Sequence, residues 1–225
     1  MDALERPGTR VVTAGALRWL EPDWPVARRV RVISTLRHGG VSVGSYASLN
    51  LAEHVGDDAA AVVENRRRVR VAAALPAEPC WLKQVHGTRV VEAVPAESAA
   101  LAGTPSRSAP GATASPRTLP EADAAWTRTP GRVCAVGTAD CMPIVLADEQ
   151  GTCVAIAHAG WRGLAGGVLE ATMQALGLPG AALCAWLTCP RRCPTRSSRR
   201  TTASPRPVRA PSQRSAWSFA CRWTT

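Results

Sequence analysis

Residues 132–163 read RVCAVGTADCMPIVLADEQGTCVAIAHAGWRG and carry the strongest indication of the fold class. The stretch contains three apolar runs, at 133–136, 142–146 and 153–157, which are apolar at successive positions rather than at alternate ones. Strands with that pattern are covered on both faces, as in layered α/β structures. The stretch therefore predicts an α/β fold whose strands lie inside a layered arrangement.

Helix caps, breakers and apolar spacing indicate further elements around this stretch. Four are predicted: a strand over 30–36, a helix over 59–75 capped by Asp57-Asp58 and ended by Pro76, a strand or hairpin over 81–91 interrupted at His86-Gly87, and a helix over 164–176. Strands and helices therefore share the chain, which supports the α/β class.

Length and composition indicate one globular domain. The chain has 225 residues and is 46% hydrophobic, which is enough to bury a core. No apolar run approaches the ~18 residues that cross a bilayer. The first ten residues include Asp2 and Glu5 and lack the apolar region of a signal peptide. We therefore expect a cytoplasmic protein with no membrane partner.

The net charge of +10 comes from the C-terminal segment. Residues 181–225 hold nine Arg and no Asp or Glu, which leaves 18 basic residues against 17 acidic ones elsewhere. A nucleic-acid-binding protein distributes its basic residues over a folded face or a helix. A nucleic-acid partner is therefore not expected.

We expect a domain over residues 1–187 and a basic tail over 188–225. Residues 96–121 are rich in Ala, Ser, Pro and Gly and predict a flexible surface insertion. Acidic residues are absent after Glu170, and Lys83 is the one lysine of an Arg-rich chain, as in a GC-rich gene. The tail is then either a frameshifted reading, which leaves the C-terminal part of the fold incomplete, or a basic disordered segment.

Spacing around the second and third apolar runs predicts a metal site. If Glu149-Gln150 is a two-residue turn, Cys141 lies directly opposite His158 in a hairpin. Directly opposed residues place their Cβ atoms about 5 Å apart on one face, which suits two ligands of one ion. A bulge at Gly151 would remove this opposition.

His86 is the expected third ligand, since Gly87 permits a sharp turn beside it. Three protein ligands leave a fourth position open, as in catalytic zinc sites. Zinc in such a site lowers the pKa of its bound water to about 7 and polarises substrate atoms. The other two histidines, His38 and His54, are given no metal role.

The passage from the third apolar run into the following helix indicates an anion site next to the metal. A helix N-terminus presents unpaired N–H groups, and Arg162 adds a planar donor. A phosphate is expected there. The alternative is that Gly160 and Gly163 only form the turn while Trp161 packs in the core.

Taken together, the motifs resemble those of the YfiH-type, or laccase-domain, family, whose members were once called polyphenol oxidases and are now regarded as purine nucleoside phosphorylases. The resemblance covers about residues 19–187. The motifs that carry it are Arg37-x-Gly39-Gly40-Val41-Ser42, Ser48-Leu49-Asn50-Leu51, His54-Val55-Gly56-Asp57-Asp58, Asn65-Arg66, Gln84-Val85-His86-Gly87, Ala122-Asp123-Ala124, Thr138-Ala139-Asp140-Cys141 and His158-Ala159-Gly160-Trp161-Arg162-Gly163.

This resemblance implies a mixed β-sheet sandwich flanked by helices and a zinc ion held by His86, Cys141 and His158. It also implies phosphorolysis of adenosine, inosine and methylthioadenosine, with adenosine deamination as a side activity. In the corresponding mechanistic hypothesis the metal polarises the purine or activates water, and phosphate attacks the ribose anomeric carbon. The residues expected to act are Asp140 as a proton shuttle, Arg162 and Arg37 on phosphate, and Asn50 on the substrate.

Three other functions stay open. Cys141 and His158 are also suited to a metal-free thiol enzyme. Copper-dependent phenol oxidation would use the same three ligands with Met142 as a fourth, although a multicopper enzyme needs more histidines than the four in this chain. An inactive product is the third, because similarity to the family stops near Leu187. The sequence indicates no oligomeric state.

Overall fold

The computed structural model describes residues 8–93 and 119–187, together with the backbone of residues 217–223. Its strands are β1 (Thr9–Ala14), β2 (Leu17–Pro22), β3 (Val30–Thr35), β4 (Val90–Glu92), β5 (Ala124–Thr127), β6 (Val133–Thr138), β7 (Met142–Asp148), β8 (Val154–Ala159), β9 (Leu183–Leu187) and β10 (Trp217–Trp223). Its α-helices are α1 (Ala59–Ala72), α2 (Trp161–Gly166) and α3 (Val168–Leu176).

The strands form two five-stranded sheets. The first sheet has the order β1-β2-β3-β10-β6, and all its neighbours are antiparallel. The second has the order β4-β5-β8-β7-β9, in which β4 and β5 are parallel and the other pairs are antiparallel. The second sheet is therefore mixed, as the resemblance implied.

Apolar side chains connect the sheets and helices into four layers. Between the sheets, Val32 and Val136 of the first pack in one cluster with Val145 and Ile156 of the second. The outer face of the first sheet packs against α1, in a cluster that includes Ile33 and Val69. The outer face of the second sheet packs against α3, in a cluster of Ile144, Ala157, Val168 and Leu176. The predicted sandwich flanked by helices is confirmed.

The three apolar runs of the opening stretch become β6, β7 and β8, and they are buried almost throughout. Residues of β8 alternate between the two layers that enclose it. Val154 and Ile156 face the first sheet, whereas Ala155 and Ala157 face the helices. The expectation of strands covered on both faces is confirmed.

The predicted first helix is α1, and Asp58 is its N-cap, since the carboxylate accepts the N–H of Ala61 at 2.8 Å. The prediction of one continuous helix over 164–176 is wrong. Helix α2 ends and α3 begins around Gly167, which has a φ of +93°. That left-handed conformation favours glycine and cannot continue an α-helix.

The segment predicted as a strand or hairpin over 81–91 is mostly irregular. It contains one isolated bridge at Lys83 and the first two residues of β4. The predicted insertion at 96–121 lies outside the described residues except for 119–121. Of the predicted tail, residues 217–223 form β10 and the rest lies outside the described residues, so the division into a domain over 1–187 and a tail over 188–225 stays a prediction. No described helix has both the length and the apolar character to cross a membrane.

Candidate metal centre

The side chains of His86, Cys141 and His158 converge at one end of the layer between the sheets. Their ligand atoms all lie within 4.8 Å of one another. The Nε2 atom of His86 is 3.7 Å from the Sγ atom of Cys141, and the two imidazole ring centroids are 4.7 Å apart at an interplanar angle of 67°. His158 is buried, Cys141 is half-buried and His86 is exposed, so the group opens to solvent on one side.

The hairpin that carries two of these residues has a different register from the predicted one. His158 pairs with Pro143, so the prediction that Cys141 lies directly opposite His158 is wrong. The connection between the strands is longer than a two-residue turn, because Asp148 accepts the N–H groups of Thr152 and Cys153 and holds a wider loop. The register is shifted by two residues rather than one, which keeps both ligands on the same face of the sheet.

His86 is positioned by a tight loop between the two sheets. Its φ of +62° is unusual for a residue with a side chain and turns the chain sharply before Gly87. The side-chain amide of Gln84 donates to the carbonyl of Gly137 at 2.8 Å and accepts its N–H at 2.7 Å. This pair of hydrogen bonds fixes the loop against the end of β6.

Asp123 connects the two histidines and was not singled out from the sequence. Its carboxylate is fully buried and lies 2.9 Å from Nδ1 of His158. The same carboxylate accepts the N–H groups of Val85, His86 and Gly87 at 3.2, 2.8 and 2.7 Å. It therefore orients the imidazole of His158 with Nε2 free and fixes the backbone that carries His86.

Gly160 allows the ligands to approach one another. A Cβ atom there would lie 2.8 Å from Sγ of Cys141, which is closer than real contacts permit, and 3.2 Å from Cδ2 of His86, which is a tight contact. Gly163, one turn further along α2, comes near Gly87, since its Cβ would lie 3.4 Å from the Gly87 carbonyl. Small residues in this passage thus place α2 directly against the metal-facing loop.

Burial and neighbouring charges determine the protonation of the three ligands. Burial lowers the pKa of His158, and the nearby His86 lowers it further, although the hydrogen bond to Asp123 acts in the opposite direction. Burial raises the pKa of Cys141, and the charge of Asp140 adds to that increase. His158 is therefore a neutral donor at pH 7, and the thiol of Cys141 stays protonated until a cation stabilises its thiolate.

The donor set and its spacing fit a zinc ion. In a tetrahedral site with Zn–N near 2.1 Å and Zn–S near 2.3 Å, nitrogen and sulfur lie about 3.6 Å apart. The observed separation between His86 and Cys141 matches that value. Two imidazoles and one thiolate leave a fourth position, and the exposed side of the group provides room for it.

Asp140 and Arg162 are both exposed, and they lie in the segments that carry Cys141 and follow His158. Asp140 precedes Cys141 and raises its pKa. The guanidinium of Arg162 lies over the ring of Trp161, 4.6 Å from its centroid. Trp161 is 71% exposed, so the alternative that it packs in the core is wrong.

Arg37 and Asn50 support the loop that follows β3. Arg37 donates from Nε to the carbonyl of Ala47 at 3.0 Å and from Nη2 to the same oxygen. Asn50 is buried, and its amide bonds Ala52 and the carboxylate of Asp57. A contact of either residue with substrate stays a prediction.

The remaining candidate ligands do not join the group. Met142 packs on the helix-facing side of the second sheet, opposite to the side that carries Cys141, so its suggested place as a fourth ligand is wrong. His38 and His54 are exposed and do not belong to the cluster of three.

The four-layered sandwich and its His-Cys-His group define a class of α/β protein with a candidate catalytic metal centre between two sheets. The family described as multi-copper polyphenol oxidoreductase laccase matches residues 31–190. The chain belongs to this family.

Three relatives illustrate the similarity. A purine nucleoside phosphorylase of Pseudomonas aeruginosa is 50% identical over 169 residues, which are 75% of this chain and 60% of the relative. The purine nucleoside phosphorylase YfiH of Escherichia coli is 44% identical over 166 residues, or 74% and 60% of the two chains. A Neisseria meningitidis protein of solved structure is 44% identical with a TM-score of 0.61, covering 75% and 61%. The chain spans about 60% of the length of the curated relatives it matches.

Proposed function

We propose that this chain carries the metal centre of a cytoplasmic, zinc-dependent purine nucleoside phosphorylase. Its substrates would be adenosine, inosine and methylthioadenosine together with phosphate, with adenosine deamination as a side activity. The observation that supports the proposal is the convergence of His86, Cys141 and His158 around one open position. Two relatives named as purine nucleoside phosphorylases are 50% and 43% identical to the chain, which supports the choice of reaction.

The bound zinc would act as a Lewis acid next to the substrate. The chain's own residues would position the reactants around it. Arg162, with its guanidinium exposed at the start of α2, would bind phosphate, and Arg37 would be a second phosphate contact. Asp140, exposed beside Cys141, would accept or return a proton, and Asn50 would contact the substrate. With these assignments, phosphate would lie at the edge of the site formed by Arg162, and Asp140 would transfer a proton at another edge.

The proposal is tested by measuring metal and activity on the same samples. The purified chain should hold one zinc per molecule, and His86→Ala should lose most of it, because two remaining ligands bind a divalent ion weakly. His54→Ala, another exposed histidine outside the group, is the matched control and should keep its zinc. Intact zinc stoichiometry in His86→Ala would refute the site. Release of hypoxanthine from inosine only when phosphate is present would support the reaction class.

A metal-free thiol enzyme is the main alternative, and the surroundings of Cys141 argue against it. A nucleophilic cysteine needs a lowered pKa. Here burial, Asp140 and Asp123 all raise the pKa of the thiol. Protection of Cys141 from alkylation by stoichiometric zinc would distinguish the two, since a free thiol nucleophile would react at the same rate with or without the ion.

A further inference from the structure

Large exposed apolar side chains border the candidate metal centre. Trp161 is 71% exposed and Val85 is 47% exposed, and Leu164 of the same helix as Trp161 is 40% exposed. Tryptophan is ordinarily one of the more buried residue types. An exposed apolar patch beside a polar site is typical of a ligand-binding surface.

Trp161 and Val85 each adjoin, in the chain, a residue that belongs to the ligand group or contacts it. Trp161 follows Gly160, whose Cα lies so near the ligands that a Cβ would meet Sγ of Cys141 at 2.8 Å. Val85 directly precedes His86 and its N–H bonds Asp123 at 3.2 Å. Gly166 packs against the same loop, since its Cβ would lie 3.1 Å from Cγ2 of Thr88. Exposed apolar side chains therefore adjoin the ligand group at two points of the chain, the start of α2 and the residue before His86.

Arg162 places a positive charge over one face of the Trp161 indole. The guanidinium carbon of Arg162 is 4.6 Å from the ring centroid of Trp161, which is a cation–π distance. With 71% of the residue exposed, the remainder of the ring system is open to a flat ligand. A stacked heterocycle on the indole would then lie beside a cation that can bind an anionic group.

We propose that Trp161 is the stacking surface for the heterocyclic base of the substrate, with Val85 as the opposite apolar edge. The inference rests on the proposed function, since it specifies how a purine would be held next to the metal. The heterocyclic base would lie on the indole of Trp161. The sugar would then point towards His86, Cys141 and His158, because Trp161 directly follows Gly160, which contacts these ligands. The same arrangement would bind a free purine base but not a free sugar.

The test is isothermal titration of the zinc-loaded, full 225-residue chain with inosine, hypoxanthine and ribose. Trp161→Ala should weaken inosine and hypoxanthine binding about tenfold or more, as expected for loss of one base–aromatic stack. Trp161→Phe should retain affinity within about threefold, because an aromatic face remains. Val43→Ala, an exposed apolar residue in the loop after β3, is the control and should bind as the unchanged chain does. Zinc content, measured in parallel, should be equal in all four proteins.

Equal inosine affinity in the unchanged chain and Trp161→Ala would overturn the inference, as would absence of any inosine binding by the zinc-loaded chain. If Trp161→Ala changes the sedimentation coefficient of the protein but not its affinity for inosine, the inference is also overturned, because the apolar patch would then be a contact between protein molecules. Stacking and phosphorolysis can fail separately. A chain that binds inosine through Trp161 but releases no hypoxanthine in phosphate would support the inference and contradict the proposed reaction.

Discussion

At the scale of single residues, Asp123 is the group that the candidate site depends on besides its ligands. It bonds the imidazole of one ligand and the backbone of the other. Carboxylates in this position typically contribute 10- to 100-fold to metal affinity. Asp123→Ala should therefore weaken zinc binding by about that factor, as measured by competition with a chromophoric chelator.

A matched variant separates this effect from a general loss of acidic charge. Glu121 is two residues away, is exposed and pairs with Lys83 at 3.1 Å. Glu121→Gln should leave zinc affinity unchanged. If Asp123→Ala is folded by circular dichroism and binds zinc as tightly as Glu121→Gln does, Asp123 has no positioning role.

Thr138, at the end of β6, gives a prediction about stability. Its Oγ1 atom is buried and has no hydrogen-bond partner among the described residues. A buried hydroxyl without a partner costs about 1–3 kcal/mol. Thr138→Val keeps the shape and should raise the free energy of unfolding by about 1 kcal/mol, as measured by urea denaturation.

Thr172 is the control for this substitution. It is equally buried, but its hydroxyl donates to the carbonyl of Val168 at 2.6 Å. Thr172→Val should lower the free energy of unfolding. A decrease of the same size in both variants would show that the hydroxyl of Thr138 is satisfied.

The sequence predicted which three residues come together better than it predicted their arrangement. His86, Cys141 and His158 could be chosen because each residue type binds zinc and each lies beside a loop or turn. Asp123 was harder to assign, because its hydrogen-bond partners lie 35 to 38 positions away in the chain. The Ala122-Asp123-Ala124 motif was the available indication, since a charge between two buried residues must be paired.

At the scale of elements, the start of α2 is the most constrained point. Gly160 has a φ of −69° and a ψ of 161°, which any residue can adopt. Gly160→Ala therefore introduces no backbone strain, and its effect should come from the contact of Cβ with Cys141. We expect zinc affinity to fall at least about tenfold, measured by the same chelator competition.

Gly180 provides the comparison for that substitution. The atom nearest to an added Cβ there is Sδ of Met173 at 3.9 Å, an ordinary contact. Gly180→Ala should bind zinc normally. Normal zinc binding by Gly160→Ala as well would mean that the ligand cluster relaxes without cost, contrary to the close packing seen here.

Glu21 joins three strands and predicts a pH dependence. It accepts hydrogen bonds from Arg10 of β1 at 2.6 Å, Trp19 of β2 at 2.8 Å and Arg31 of β3 at 2.8 Å. Burial alone would raise the pKa of Glu21, but the bonds from Trp19, Arg31 and Arg10 lower it overall. A carboxyl with a lowered pKa in the folded state stabilises it above the ordinary carboxyl range, and this contribution is lost as the pH falls through the lowered pKa.

Glu21→Gln should therefore be less stable than the unchanged chain by about 2 kcal/mol at pH 7. The difference should begin to shrink as the pH falls below the ordinary carboxyl value of about 4, where Glu21 of the unfolded chain takes up a proton, and should be lost as the pH falls through the lowered pKa of the folded chain. Urea denaturation of both proteins across pH 3 to 7 measures it. A stability difference that is constant over this range would contradict the assigned ionisation of Glu21.

Element boundaries were predictable only where one residue type determined them. Asp58 set the start of α1, and the burial of β6, β7 and β8 followed from their composition. The break at Gly167 was missed because apolar spacing continues across it, although glycine there adopts a left-handed conformation. The predicted register of the β7–β8 hairpin was wrong because the carboxylate of Asp148 widens the turn. The hydrogen bonds that this carboxylate accepts cannot be inferred from the number of residues between the strands.

At the scale of the whole molecule, the layers were predictable and the strand order was not. Two-sided burial and interspersed helices are local properties of the sequence. Strand pairing is not a local property, since β6 belongs to the first sheet although β5 and β7, its neighbours in the chain, belong to the second. The candidate metal centre depends on this crossing, because the 139–141 connection between β6 and β7 carries Cys141 from one sheet to the other.

The position of β10 gives the prediction that concerns the whole fold. Ala220 pairs with Ile33 on one side and with Ala135 on the other. In such a central antiparallel strand each interior N–H donates to one neighbour or the other, and proline has no N–H to donate. Ala220→Pro should lower the free energy of unfolding by about 2 kcal/mol. It should also promote aggregation, because β3 and β6 would then present open edges.

Ala220→Ser keeps the N–H and is the control for this substitution. Both variants are compared by urea denaturation and by light scattering during heating. Equal unfolding midpoints would show that the stability of the fold does not depend on the hydrogen bonds of β10 to β3 and β6. A lower midpoint for the proline variant alone would mean that β10, whose seven residues begin more than forty positions after α3, joins β3 to β6 and so holds the first sheet together.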